Sequence, residues 1–575
     1  MNIRDKQVKI LIGTLANVIR AENISTSNYL ELYVGDESLD SINNINNQAI
    51  YGRRGSGKTH LLKALQEKIN SNFEVERKLG IYIDARSILP LTNNASTSPE
   101  ETASLIFQGI VQSMIDALSI NVRLIFGRDQ IFPETLSHRD KSDNLEIQNH
   151  LNAINLELSG RSLKRLGSIA ITEENNTGSE LKVKITSSPE VSAGKTLSGK
   201  KVETKSDLRY VSIQEISTSL QALIEWLQLN RLICLIDEWS EIPAEVQKHL
   251  AELLKRVFIS GKFSFKIAAI PNRTDLGHKT SEKFYGLEDG GDIFGYQLDN
   301  RYIFELDKAK TRDFFNDLLH KHLSVIDSNV VASVIKTSNK SSNTFINVFL
   351  TNKALGELCI ASAGIPRDFI NLFIHSYDQF KSSAGKHISV KNVRSATSGW
   401  YETDKKKQID EHATEKILLQ SLVEEIVTKK QSSHFMLSEK HSSNPHILSL
   451  IDFRVLHLRK KGYSHRDIPG ETFNVYSIDY GCYNHLNITR TALSHNSLDS
   501  LSVQDDIRQI RRISLPDAFL QKFQLSVGEA FSCPNCKKPV DTRHLAYIKQ
   551  NICNNCYESV SAITPKRTEL SANDH

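Results

Sequence analysis

The sequence has no continuous apolar stretch near the roughly 20 residues that a bilayer-spanning helix needs, so no spanning segment is expected. Net charge is nearly absent as well: 71 Lys and Arg oppose 67 Asp and Glu, a formal +4 over 575 residues. That balance neither demands a polyanionic partner nor excludes one, because a local basic patch survives inside a neutral total. Cysteine is scarce, seven in all, and four of the seven fall between positions 533 and 556. Such a distribution suits a reducing compartment with one metal site better than a disulfide framework. No internal repeat is visible, so the long sensor repeats that nucleotide-operated switches usually append are missing. The opening MNIRDKQVKILIGTLANVIRAEN spaces its apolar residues helically, without the apolar core of a secretory leader. A cytoplasmic protein with no membrane partner is the expectation.

What is present is enough apolar sequence, 39% against 24% charged, to bury ordinary cores. At this length it should divide into about three or four domains. Residues 48–51, 81–85, 232–236, 265–270 and 302–306 read as short buried strands separated by helical stretches. That alternation predicts an α/β fold, a parallel sheet covered by helices on both faces. Between the second and third strands, SIAIT and LKVKI flank EENNTGSE and read as a hairpin. The Ser-, Gly- and Lys-rich run after it reads as a mobile loop. The sequence therefore predicts a core over 1–306 with an insertion at about 128–207, then a helical lid over 307–407. Residues 408–494 follow a helix, helix, strand-pair pattern that predicts a winged helix, with LHLRKKGYSHRD ending its second helix. Residues 495–527 are a connector, 528–560 hold paired cysteines, and 561–575 form a polar, disordered tail.

Gly52, Arg53, Arg54, Gly55, Ser56, Gly57, Lys58 and Thr59 fit G-x-x-x-x-G-K-[ST] between a strand and a helix. The glycines let successive N–H groups turn inward toward phosphate oxygens, at the positive end of the following helix. Lys58 would bridge the β- and γ-phosphates of ATP, and the Thr59 hydroxyl would ligate Mg²⁺. LICLIDEW ends an apolar strand on Asp237 and Glu238. An Asp there can hold Mg²⁺ and the adjacent Glu can activate the attacking water, although an acidic pair also serves as solvent-facing punctuation. Cys533-x-x-Cys536 and Cys553-x-x-Cys556, 16 residues apart, offer four thiolates to one tetrahedral Zn²⁺. An iron–sulfur centre is the less expected alternative. Cys234, Cys359 and Cys482 read as buried apolar residues.

The P-loop, the strand-end Asp-Glu, Asn272 after FKIAAIP and the segment AGIPRDF together resemble an AAA+ ATPase. The sequence is most similar to the origin-recognition and helicase-loader branch, over roughly residues 25–400. The resemblance implies ATP hydrolysis, Asn272 as the residue sensing the γ-phosphate, and Arg367 as the lid arginine reaching back to nucleotide. It also implies assembly of several copies. The bland alternatives are a turn asparagine and a surface helix arginine. The insertion exceeds what that family needs, and Arg273 and Arg301 are weak candidates for a trans-acting arginine. Arg454, Arg459, Lys460, Lys461 and Arg466 form a basic cluster that would meet the phosphates of double-stranded DNA, or simply a solvated helix end. Two functions stay open at this point. One is an ATPase acting on DNA as an initiator, loader or recombination-type regulator. The other is a nucleotide-operated signalling or antiviral defence switch that grips a protein effector.

Overall fold

The computed structural model describes residues 2–20, 28–89, 98–125, 145, 149, 168–171, 182–186, 208–258, 261–281, 283–299, 301–304, 307–464, 470–483 and 513–560. They belong to two compact units. One comprises Asn17–Asp299 with Lys321–Ile326; the other comprises Met1–Ala16, Asn300–His320 and Asp327–His575.

The first unit is built on five strands, β1 (Gln48–Tyr51), β2 (Lys78–Asp84), β3 (Arg231–Asp237), β4 (Phe263–Ala269) and β5 (Phe294–Gln297). They pair in the order β5-β1-β4-β3-β2, and all four pairings are parallel. Side chains of a strand alternate between faces, and in β3 both faces are apolar. Leu232, Cys234 and Ile236 join a core with Met114, Leu223 and Leu254, whereas Ile233 and Leu235 join one with Leu61 and Leu65. The helices Pro99–Ile120, Ile213–Trp226 and Ala244–Phe258 supply the first core, and Lys58–Ser71 supplies the second. The helix Pro99–Ile120 is long and apolar enough to span a bilayer by length and composition, but half of its most apolar window is buried. Its start is fixed by a capping box of Ser98 and Glu101 with a proline in the first turn.

The fifth strand is Phe294–Gln297, not 302–306 as the apolar run suggested. FGYQ pairs only with β1 at the sheet edge, so it needs no continuous apolar stretch. Tyr302 instead stacks on Phe314 at 3.6 Å, and Ile303 and Phe304 are buried without strand pairing in the second unit. In the insertion, Ser168–Ile171 pairs antiparallel with Lys182–Thr186, and Leu208–Ser212 adds a third strand. The turn between the first two, and the run read as a mobile loop, lie outside the described residues.

The second unit contains the helices Asn352–Ala361, Pro366–Lys381 and Val390–Trp400, and the helical run Lys308–Ser338 apart from its residues 321–326, a run that breaks at Asp327. Gly364 has φ +78°, and a Cβ there would lie 2.3 Å from the Tyr302 carbonyl, so the turn before Pro366 requires glycine. The N-terminal helix Lys6–Leu15 is tied to the same unit. Arg4 donates to the carbonyls of Phe380, Lys381, Ser383 and Gly385, and the Tyr377 hydroxyl donates to the Ile3 carbonyl.

Further along, the helix Ala413–Leu422, β6 (His434–Ser438), the helix Pro445–Asp452, β7 (Leu456–Ser464) and β8 (Thr472–Ile478) follow in turn. The sheet order β6-β8-β7, all antiparallel, gives this segment winged-helix topology. One expectation is corrected: LHLRKKGYS is a strand, not the end of the second helix. The helix stops because Arg454 takes left-handed backbone angles, with φ 60°. Beyond it Leu456 and Leu458 alternate as a pleated strand does, while Ile451, Val455 and Leu458 fall at helical spacing. Among the last described residues, β9 (Ala530–Ser532) and β10 (Pro539–Asp541) form a small hairpin beside the cysteine pairs.

Candidate functional site

β1 leaves the sheet into the loop 52–57, whose first N–H, that of Gly52, donates to the Ala269 carbonyl at 3.0 Å. Gly55 and Gly57 have φ of 84° and 93°, left-handed angles that a side chain resists. A Cβ on Gly52 would lie 2.4 Å from the Ser56 hydroxyl. The Lys58 ammonium folds onto its own loop, 2.6 Å from the Gly52 carbonyl and 3.1 Å from that of Arg53. The Ser56 hydroxyl is buried with no hydrogen-bond partner among the described residues. A cradle that a Cβ would fill, a lysine turned inward and an orphaned hydroxyl fit an anionic group of phosphate size. Thr59 follows in the first turn of the helix, half-buried. Arg53 and Arg54 are engaged elsewhere. Arg53 offers its backbone N–H to both Asp299 oxygens at 2.8 Å and its guanidinium to the same carboxylate. Arg54 pairs with Glu241 at 2.6 Å.

Because β1, β4 and β3 are parallel neighbours, their carboxyl ends lie side by side on one sheet edge, where open α/β folds bind ligands. Asp237, at the end of β3, is 1% exposed. One of its oxygens accepts from the Tyr82 hydroxyl and the other from the Glu238 N–H, each at 2.8 Å. Glu238 sits at φ 55° and is partly buried. Burial, and next the Asp237 carboxylate beside it, raise its pKa, against the pull of Arg86 and Lys58. Arg86 stands 3.7 Å from the Glu238 carboxylate and holds Asp84 at 2.7 Å. Asn272 occupies the middle of the short turn Pro271–Arg273 after β4, with its side chain exposed.

The P-loop, Asp237, Glu238 and Asn272 thus share one edge of one unit. Arg367 lies in the first turn of Pro366–Lys381, in the other unit. Arg273 follows Asn272, and Arg301 belongs to the second unit. Sequence reasoning did not find Asp299, Tyr82, Arg86 or Glu241. Only Tyr82 left a signal, as the polar-tipped member of an apolar strand that pairs with β3.

The four paired cysteines converge. Their sulfurs all lie within 4.8 Å of one another, with Cys533–Cys556 and Cys536–Cys553 each at 3.7 Å. Metal–thiolate bonds of about 2.3 Å at tetrahedral angles place sulfurs about 3.8 Å apart, so the donor set fits Zn²⁺. The two knuckles repeat one design. Lys537 and Tyr557 have φ of 59° and 60° and donate to the carbonyls of Cys533 and Cys553 at 3.0 and 2.9 Å. Cys234, Cys359 and Cys482 are buried outside this cluster, and burial pushes the Cys234 thiol up to about 12.

The basic cluster does not stay together as a surface. Arg454 hydrogen-bonds to Asp368 and Asp404. Arg459 is buried, donating to the Ser477 hydroxyl at 2.7 Å and to the Ala363 carbonyl. Lys460 and Lys461 are exposed beside Gly462, where the pairing of β7 with β8 shifts register. Arg466 lies outside the described residues.

The model of a family described as ORC-CDC6-like matches residues 15–352. No curated protein matched the chain. Among solved structures, the ORC2 protein of Aeropyrum pernix in ADPNP and ADP complexes is 11% identical. It aligns over 86% of this chain and 93% of that one, at a TM-score of 0.30. A RuvB variant of Thermotoga maritima is 12% identical, covering 79% and 95%, at a TM-score of 0.28. Drosophila ORC bound to DNA is 10% identical, covering 83% and 97%, at a TM-score of 0.27.

Proposed function

From the premise that this chain belongs to the ORC-CDC6-like family, we propose that its ATPase cycle drives or switches an assembly on double-stranded DNA. It is an AAA+ ATPase with a parallel-sheet P-loop core and a four-cysteine cluster. The observation that carries the functional reading is the juxtaposition of the P-loop, the Asp237–Glu238 pair and Asn272 on adjacent strand ends. In this reading Lys58 and the loop N–H groups grip the β- and γ-phosphates of ATP, and Thr59 and Asp237 hold Mg²⁺. The metal would neutralise charge on the phosphate oxygens. Glu238, its pKa raised by burial, accepts the proton of the attacking water, and Asn272 orients that water against the γ-phosphate. Arg367 answers to the nucleotide from the lid. The four cysteines hold a structural Zn²⁺. The winged-helix segment, with Lys460 and Lys461 exposed on its β-hairpin, is the DNA-facing element.

The deciding experiment is steady-state ATP hydrolysis by the purified chain with and without duplex DNA. Measurable Mg²⁺-dependent turnover that DNA changes severalfold is expected. Turnover indifferent to DNA, together with no DNA binding at low salt in either nucleotide state, would move the reading to a switch acting on a protein effector.

A further inference from the structure

One buried amide makes four hydrogen bonds between the segment carrying Glu238 and the turn carrying Asn272. Gln247, in the first turns of Ala244–Phe258, is 1% exposed. Its side-chain oxygen accepts from the Trp239 indole N–H at 3.0 Å and from the Asp275 N–H at 2.7 Å. Its side-chain nitrogen donates to the Ile242 carbonyl at 2.7 Å and to the Arg273 carbonyl at 3.0 Å. Two donors face one end of the amide and two carbonyls face the other, so the partners themselves fix which end is oxygen. All four hydrogen-bonding positions of a primary amide are thereby used. Trp239 and Ile242 bracket the short turn directly after Glu238, whereas Arg273 and Asp275 follow Asn272. The Ser240 hydroxyl adds a tie on the same side, accepting from the Ile270 N–H at 2.6 Å.

We infer that Gln247 is a positioning residue for hydrolysis, fixing the Asn272 turn against the Glu238 strand end through these four hydrogen bonds. The inference rests on the roles proposed for Glu238 and Asn272. Its physical basis is that two loops leaving adjacent strands have independent freedom, and in-line attack tolerates little misplacement. A glutamine reaches both loops from a third element and satisfies buried groups that would otherwise be stranded. Glutamate would present oxygen to two carbonyls, asparagine is one methylene short, and methionine fills the volume while making none of the four bonds.

The test is steady-state ATP hydrolysis by the full chain, with folding checked by thermal melting. Gln247→Met should lower kcat by about 10- to 100-fold, with KM for ATP changed less than about twofold. Trp239→Phe, which removes one donor, should give a smaller kcat loss with the same split, and decides the matter if Gln247→Met does not fold. In an Asn272→Ala background, Gln247→Met should add less than about twofold, because it acts through a side chain already removed. A wild-type kcat in folded Gln247→Met, or a full multiplicative loss in the Asn272→Ala background, overturns the positioning role while leaving the site reading intact. A wild-type kcat for Asn272→Ala itself overturns the site reading, and this inference with it.

Discussion

Glu238 combines two conditions that a water-activating carboxylate needs, a raised proton affinity and a fixed direction. Burial and the neighbouring Asp237 carboxylate supply the first, while left-handed backbone angles bear on the second. Arg86 opposes the first by lying within ion-pair distance. Glu238→Gln should therefore bind ATP as the wild type does and lose about 100-fold or more in turnover, because it removes a group that matters in the transition state. Lys58→Ala should instead lose nucleotide binding, since its ammonium is folded onto the carbonyls of the phosphate loop. Equilibrium binding of a fluorescent ATP analogue, read beside phosphate release, separates the two outcomes. Wild-type turnover in Glu238→Gln would remove this carboxylate from the chemistry. The residues of the phosphate loop were legible in the sequence because their chemistry depends on local spacing. Asp299, which holds Arg53, was not, because its partner lies 246 residues away in the chain.

Among the elements of the second unit, the helix Pro366–Lys381 and the winged-helix segment share a buried ionic network. Lys405, itself buried, lies 2.7 Å from Asp479 and 3.7 Å from Asp368, and His457 meets Asp479 at 2.9 Å. Arg454 bridges Asp368 and Asp404. Asp368 directly follows Arg367, so the arginine proposed to sense nucleotide is carried by a helix anchored to the winged-helix strands. Burial alone would raise the Asp479 carboxyl, but Lys405 and the His457 hydrogen bond outweigh it and hold it well below the usual range. A carboxyl with a depressed folded pKa adds stability above its unfolded value of about 4, and loses it as pH falls toward the folded value. Denaturant unfolding of this unit should accordingly weaken as pH drops below about 4. Asp479→Asn should flatten that dependence while lowering stability at neutral pH by about 3–5 kcal/mol, because Lys405 and His457 lose a buried partner. Equal acid slopes in both proteins would show that the network does not set acid stability. The four-cysteine element makes a separate prediction: purified, reduced protein should carry about one zinc per chain. Chelation or Cys536→Ser should unfold 528–560 and leave ATP binding intact; metal analysis finding no zinc would remove the site. This element was legible because a pair of C-x-x-C knuckles is a local pattern. The strand Leu456–Ser464 was misread because Val455 and Leu458 continue the helical spacing of Ile447 and Ile451 in the sequence, although the left-handed Arg454 has already ended the helix.

For the whole molecule, the parallel sheet was legible wherever strands are buried on both faces, since continuous apolar runs such as LICLI admit few other readings. Its edge was not, because FGYQ pairs on one side only. Nor was the fate of the basic cluster, which depends on pairings that no local window contains. Arg459 faces inward to Ser477 and Ala363, so it is a strut of the second unit and does not reach phosphate. The DNA prediction therefore rests on Lys460 and Lys461, exposed where β7 shifts register against β8. A flexible cation on a hairpin meets phosphates without reading bases, so replacing both lysines by glutamine should weaken duplex binding equally across unrelated sequences. The slope of log affinity against log salt should become shallower by roughly 0.9 for each phosphate no longer neutralised, or about 2 for the pair. ATP binding should be unchanged, because the P-loop belongs to the other compact unit. Arg459→Gln supplies the contrast. It removes a buried guanidinium and should lower the melting temperature of the protein while leaving the salt slope of the folded fraction as it was. If the double lysine variant keeps the wild-type affinity and slope, the hairpin does not hold the DNA backbone. If Arg459→Gln alone shallows the slope in fully folded protein, the buried assignment of that arginine gives way, because only a side chain reaching phosphate releases counterions.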